Sequence, residues 1–157
     1  ALMDHLLLIK WLHILSSTVL FGTGLGTAFF LWSAHLTGDA RTIASVAKIT
    51  VRADWLFTAT SGIVQPVTGL ALAHGYGHAL NDRWLLWTYG LYALALACWL
   101  PVVKLQMEMR DLAAKAAAEG TPLPARYRRA ARLWFTLGWP AFIGLLVVFW
   151  LMLTRPS

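Results

Sequence analysis

The chain has 157 residues, of which 59% are hydrophobic and 13% charged, and its formal net charge is +6. A water-soluble domain of this size has no core large enough to hide so much apolar surface, so the surplus calls for lipid. Nine Trp and a basic excess suit a membrane protein, which sets indoles at headgroup level and keeps Lys and Arg on short cytoplasmic loops; they argue against a nucleic-acid partner. A single cysteine, Cys98, rules out an intrachain disulfide and a multi-cysteine metal site and reads as buried helix filler.

The first apolar segment runs from about Asp4 to His35. It is too long for a signal-peptide core and shows no small-residue cleavage site, so it is expected to be retained. Met3 has the place of an initiator, which would make Ala1 and Leu2 additions. The second segment runs from about Val51 to His74, the third from Trp84 to about Met107, and the fourth from about Leu133 to Leu153. Each reaches the roughly 20 residues that cross the hydrocarbon core. None alternates as a strand does, and an unclosed sheet would leave backbone groups unpaired in lipid. The expected fold is therefore all-α, a four-helix transmembrane bundle forming one domain over residues 1–157, with almost nothing outside the bilayer.

The connections decide orientation. Leu36 to Thr50 carries Arg41 and Lys48, with Arg52 just inside the next helix. Lys104 to Arg132 carries Lys104, Arg110, Lys115, Arg126, Arg128, Arg129 and Arg132. The link from Gly75 to Arg83 has only Arg83. The positive-inside rule then places both termini and that short link on the outer, periplasmic side of a bacterial inner membrane. In the long connection, Met107 to Glu119 reads as helix continuing past the membrane, broken by Gly120, Pro122 and Pro124. Arg126, Arg128, Arg129 and Arg132 are expected among anionic headgroups.

His13 is the most informative residue. It would lie roughly 10 Å below the outer surface, where an ionisable group is costly unless partnered. At helical spacing it shares a stripe with Ser17, Leu20, Gly24 and Thr27. Gly22, Gly24 and Gly26 would admit a neighbouring backbone or a flat cofactor. Helix two offers a second stripe, Thr58, Ser61, Gln65 and Thr68, with Gln65 and Thr68 level with His13. Pro66 frees the carbonyl of Gly62, leaving room or an acceptor at that depth, and Tyr89 and Tyr92 are possible hydrogen-bond partners from helix three. His74 and His78 flank the outer end of helix two, and His5 begins helix one on the same side. Because imidazole ligates haem iron and transition metals, this one-sided set is a candidate metal group.

The segment Lys10-Trp11-Leu12-His13-Ile14-Leu15 with the glycine-rich Phe21 to Gly26, the Trp99-Leu100-Pro101 turn, and the ending Leu151-Met152-Leu153-Thr154-Arg155-Pro156 resemble the bacterial predicted integral membrane proteins of domain of unknown function 2269. That resemblance spans nearly the whole chain and brings no established activity. The first helix is also similar to those of the copper-resistance D membrane domain and of the J-type haem-binding protoporphyrinogen oxidase. The second likeness implies haem at His13. The lysine which that group has within its third helix has no counterpart here, since Lys104 lies at the cytoplasmic end, so the likeness extends to haem and not to porphyrinogen oxidation.

The leading expectation is a haem b protein in which His13 ligates iron, with Ser17, Gly22, Gly24, Gln65 and Tyr92 around the cofactor and His74 the candidate second ligand. It would exchange electrons with a quinol or an outer-face redox protein. His74 should stand about 10 Å nearer the surface than His13, so the iron would be five-coordinate, helix two would unwind near Gly69, or a second protomer would contribute. The alternatives are a non-enzymatic accessory subunit whose polar stripes only join helices, and an outer-face copper or zinc acceptor on His5, His74 and His78. No residue is assigned to catalysis, and a homodimer is expected from the glycine-faced helix.

Overall fold

A computed structural model describes residues 1–156. Helix α1 spans Leu2–Thr37, α2 Ala40–Ala53, α3 Ala59–Gly75, α4 Arg83–Glu119 and α5 Ala125–Thr154, and the turn Asp54–Thr58 joins α2 to α3 as one continuous rod. Four of these rods are long and apolar enough to cross a membrane: α1, the α2–α3 unit, α4 and α5. Both termini and the residue 76–82 link lie at one end, here the termini end. The opposite, basic end holds the tight turn at Gly38–Asp39 and the residue 120–124 link.

The basic end departs from expectation. Leu36 to Thr50 is not a connection, because helix resumes at Ala40. Gly38 closes α1 in the left-handed region (φ 68°), with its N–H donating to the carbonyl of His35, and the Asp39 side chain accepts from the Thr42 N–H to start α2. α2 then buries Ile43, Ala47, Thr50 and Val51 and leaves Arg41, Lys48 and Arg52 exposed, a helical stripe with its charges turned away from the core. α5 likewise begins at Ala125 rather than near Leu133, directly after Pro124, and buries Tyr127, Ala130, Ala131 and Trp134.

These two additions meet the prolonged α4. Leu31, Ala34, Ile43, Ala47, Met109, Ala113, Tyr127 and Trp134 pack into one cluster at the basic end. From Lys104 to Glu119, α4 extends about 22 Å at helical rise, the continuation expected for Met107 to Glu119, and Gly120 ends it. Where this end stands in water the hydrophobic effect operates, and burying Ile43 or Met109 stabilises by about 1.5–3 kcal/mol each.

Within the apolar belt that drive is absent, since lipid tails are as apolar as leucine, and helices hold by close approach, ring packing and hydrogen bonds. Helix α1 shows this: Trp11, Ile14, Leu15, Phe29 and Phe30 are exposed on its surface, where lipid would cover them. Its contact with α5 is made by rings, Phe21 stacking on Phe142 at 5.1 Å and meeting Phe149 edge-on at 5.4 Å, with Trp32 on Phe135 at 4.5 Å nearer the basic end. His35 Nδ1 and the Tyr127 hydroxyl, 2.8 Å apart, complete that seam.

Candidate functional site

The seam between α1 and α3 carries the intramembrane histidine. His13 Nδ1 lies 2.7 Å from Thr68 Oγ1, and that hydroxyl is itself 2.7 Å from the carbonyl oxygen of Val64. With its own proton committed to the backbone, Thr68 accepts the Nδ1–H, so Nε2 is left with the lone pair. Gln65 Nε2 stands 3.4 Å from that nitrogen, a long contact for a hydrogen bond. The Gln65 Oε1 beside it is buried and has no partner.

The ring rests on glycine. A Cβ on Gly69 would come 3.1 Å from His13 Cε1, and one on Gly75 would overlap Leu6. Close approach is thus provided by α3, not by the glycines of α1. Gly22 and Gly24 are exposed, and a Cβ at Gly22, Gly24 or Gly26 would meet nothing within 4 Å. At these positions α1 therefore makes no close approach to a neighbouring backbone.

Ser17 is also displaced from its expected role, its hydroxyl donating to the Ile14 carbonyl of its own helix at 2.8 Å. The neighbouring Ser16 is the buried one and donates across to the Ser61 carbonyl at 3.1 Å. Tyr92 bonds not to His13 but to the Gly62 carbonyl, the acceptor that Pro66, four residues on, cannot serve. Tyr89 reaches the Leu80 carbonyl at 3.1 Å.

The other histidines do not join His13. His74 and His5 are exposed. His78 packs edge-on against Trp84 at 5.5 Å, with its Nδ1 3.7 Å from Asp82 and its Nε2 3.4 Å from Arg155 Nη1. Among the described residues no three of His, Cys, Asp or Glu gather where they could hold one metal ion.

A second polar cluster was missed in the sequence. Asp54, 4% exposed, accepts from Thr58 Oγ1 at 2.8 Å and from Gln106 Nε2 at 2.6 Å. Trp134 Nε1 donates to Gln106 Oε1 at 3.0 Å. The signal was an aspartate inside the apolar run Ala53-Asp54-Trp55-Leu56-Phe57, a costly placement that marks a residue with a role. The backbone around it is a π turn, with the Ala59 N–H reaching back to the Asp54 carbonyl, a local form frequent at functional sites. With it, the α2–α3 rod shows one polar face from Asp54 through Thr58, Ser61 and Gln65 to Thr68.

Four apolar rods joined by short links, with polar side chains turned inward, define a multi-pass integral membrane protein. Residues 7–156 match the model of the family described as predicted integral membrane protein (DUF2269), and the chain belongs to that family. No curated protein and no solved structure matches it.

Proposed function

We propose that this chain is a membrane redox protein that binds a b-type haem through Nε2 of His13. The observation that carries the reading is the disposition of the ring: Nδ1–H is spent on Thr68, which fixes the tautomer and leaves Nε2 as a lone-pair donor, as a hydrogen bond to the other ring nitrogen does for ligating histidines. The orphaned Gln65 Oε1 and the length of the contact from Gln65 Nε2 to His13 Nε2, 3.4 Å, support the Gln65 amide giving way to a bound group. When bound, a haem would supply one-electron chemistry, with a quinol or an outer-face protein as the exchange partner.

This chain's own residues would then act in defined ways. Thr68 holds the imidazole in orientation and raises its basicity as a ligand by accepting from Nδ1. Gly69 lets the ring lie against α3. Gln65 is free to hydrogen-bond a polar group of the bound molecule. A haem would be held by His13 alone among the histidines of this chain, since His74 is exposed and apart from it. The concentration of Lys and Arg at the basic end supports a cytoplasmic placement of that end, hence periplasmic termini in a bacterial inner membrane.

The test is the visible spectrum of protein purified in mild detergent from haem-replete cells, oxidised and dithionite-reduced. A Soret band is expected in the wild type, lost in His13→Ala and kept in His74→Ala and His78→Ala. Colourless wild-type protein, or a band indifferent to His13, rejects the reading.

A further inference from the structure

The cluster around Asp54 is separate from His13 in position and chemistry: it belongs to the α2–α3 junction and to α4 and α5, and takes no part in the haem reading. We propose that Asp54 is a proton-binding site, a buried carboxylate that takes up and releases a proton.

The donor arrangement carries the argument. Trp134 has only an N–H to offer, and by donating to Gln106 Oε1 it fixes that amide, so the NH2 must point at Asp54 Oδ2. The Thr58 hydroxyl points at Oδ1. Trp99 on α4 faces the same carboxylate, and its buried Nε1–H closes no hydrogen bond of its own. Thr58 and Gln106 thus each turn a donor towards the carboxylate.

No cation neutralises it. On its own helix Lys48 and Arg52 are exposed, on α4 Lys104 is exposed, and on α5 Arg132 is exposed. Glu108 on α4 is engaged by Arg126 at 2.6 Å. The titratable group that α1 brings to the basic end, His35, is bonded to Tyr127, and α3 carries no charged residue. Among the described residues no ion pair includes Asp54. A buried carboxylate without a counter-cation is costly, and what it offers beyond the contacts an asparagine could make is its charge or its proton.

The same geometry selects the ligand. A metal ion on the carboxylate would face an amide NH2 and an indole N–H, both of which repel it, and would find only the Thr58 hydroxyl as a second oxygen. A proton needs one oxygen. It adds to Oδ1 while the Thr58 hydroxyl, free to rotate, changes from donor to acceptor.

The experiment is infrared difference spectroscopy of the full chain in nanodiscs during acid–base titration, in H2O and D2O, with Trp fluorescence recorded in parallel. A carboxylic-acid C=O band is expected to appear on acidification in the wild type, to shift in D2O, and to vanish in Asp54→Asn. Because Asp54→Asn could disturb folding, Trp134→Phe is the second variant. It releases the Gln106 amide and is expected to move the frequency of the band without removing it. A titrating band unchanged in well-folded Asp54→Asn overturns the proposal, as does a band that responds to Na+ or K+ and not to pH. Either result leaves the His13 reading untouched, since that is read from a haem spectrum.

Discussion

Tyr92 on α4 donates its phenol to the carbonyl of Gly62 on α3, the backbone acceptor left open by Pro66. A residue that breaks one helix is thus answered by a side chain from another. Tyr92→Phe is expected to destabilise the fold by about 1–3 kcal/mol, the cost of an unsatisfied buried polar group. Pro66→Ala restores an N–H to that carbonyl, so in the double variant Tyr92→Phe should cost clearly less. Additive losses in a detergent-unfolding double-mutant cycle would contradict the assignment.

Gly69 provides a second test. A methyl group there would stand 3.1 Å from His13 Cε1, so Gly69→Ala is expected to push the ring by a few tenths of an ångström and cost about 1 kcal/mol, and Gly69→Leu about 3 kcal/mol. Gly22→Ala and Gly24→Ala, which meet nothing within 4 Å, should lie within about 0.5 kcal/mol of wild type. Thermal unfolding of the four variants distinguishes α3 from α1 as the helix whose glycines matter.

At the turn between α1 and α2, the Thr42 hydroxyl, followed by its backbone N–H, holds the Asp39 carboxyl below its ordinary value of 3.8. A depressed folded-state value means that this carboxylate stabilises the fold fully above the unfolded value and that the contribution is lost as pH falls through the lower folded one. Wild type should therefore lose a stability advantage over Asp39→Asn on acidification below about 3.8, while the difference stays constant from neutral pH down to that region. Chemical unfolding of both proteins across this range reads the effect directly, and a gap that widens on acidification would contradict it.

Gln106 binds two elements at once, donating to Asp54 and accepting from Trp134. Gln106→Leu leaves a buried carboxylate short of a donor and an indole N–H without an acceptor, so a loss of about 3–5 kcal/mol is expected. Gln106→Glu should be as damaging near neutral pH, because it sets two carboxylates together, and should recover on acidification. Stability profiles of the two variants against pH make the comparison.

The membrane-crossing parts of the bundle were legible in the sequence because run length and hydropathy alone decide them. So was the placing of Gln65 and Thr68 level with His13, which follows from depth along two helices, though not that Thr68 is its short hydrogen-bond partner. The error at Leu36 to Thr50 came from reading Arg41 and Lys48 as loop charges. The stripe Ile43, Ala47, Thr50 and Val51 is short, and the Gly38-Asp39 stop-and-start signal fixes the boundary only once α2 is seen to have a core to face. The same holds for Tyr127, Ala130, Ala131 and Trp134, hidden among arginines. The glycine assignment failed for another reason: spacing tells which residues share a face, but not which face meets a neighbour. Asp54 was readable by charge in an apolar run, whereas Gln106, fifty-two positions away, is joined to it only by the fold.

The π turn from Asp54 to Thr58 sets the angular phase of everything beyond it. One extra residue in that turn rotates α3 by about 100° relative to an unbroken helix. Deleting a single residue such as Trp55 would return the rod to uniform pitch. It would also swing Gln65 and Thr68 off the α1 seam, parting His13 from both although neither residue had been altered.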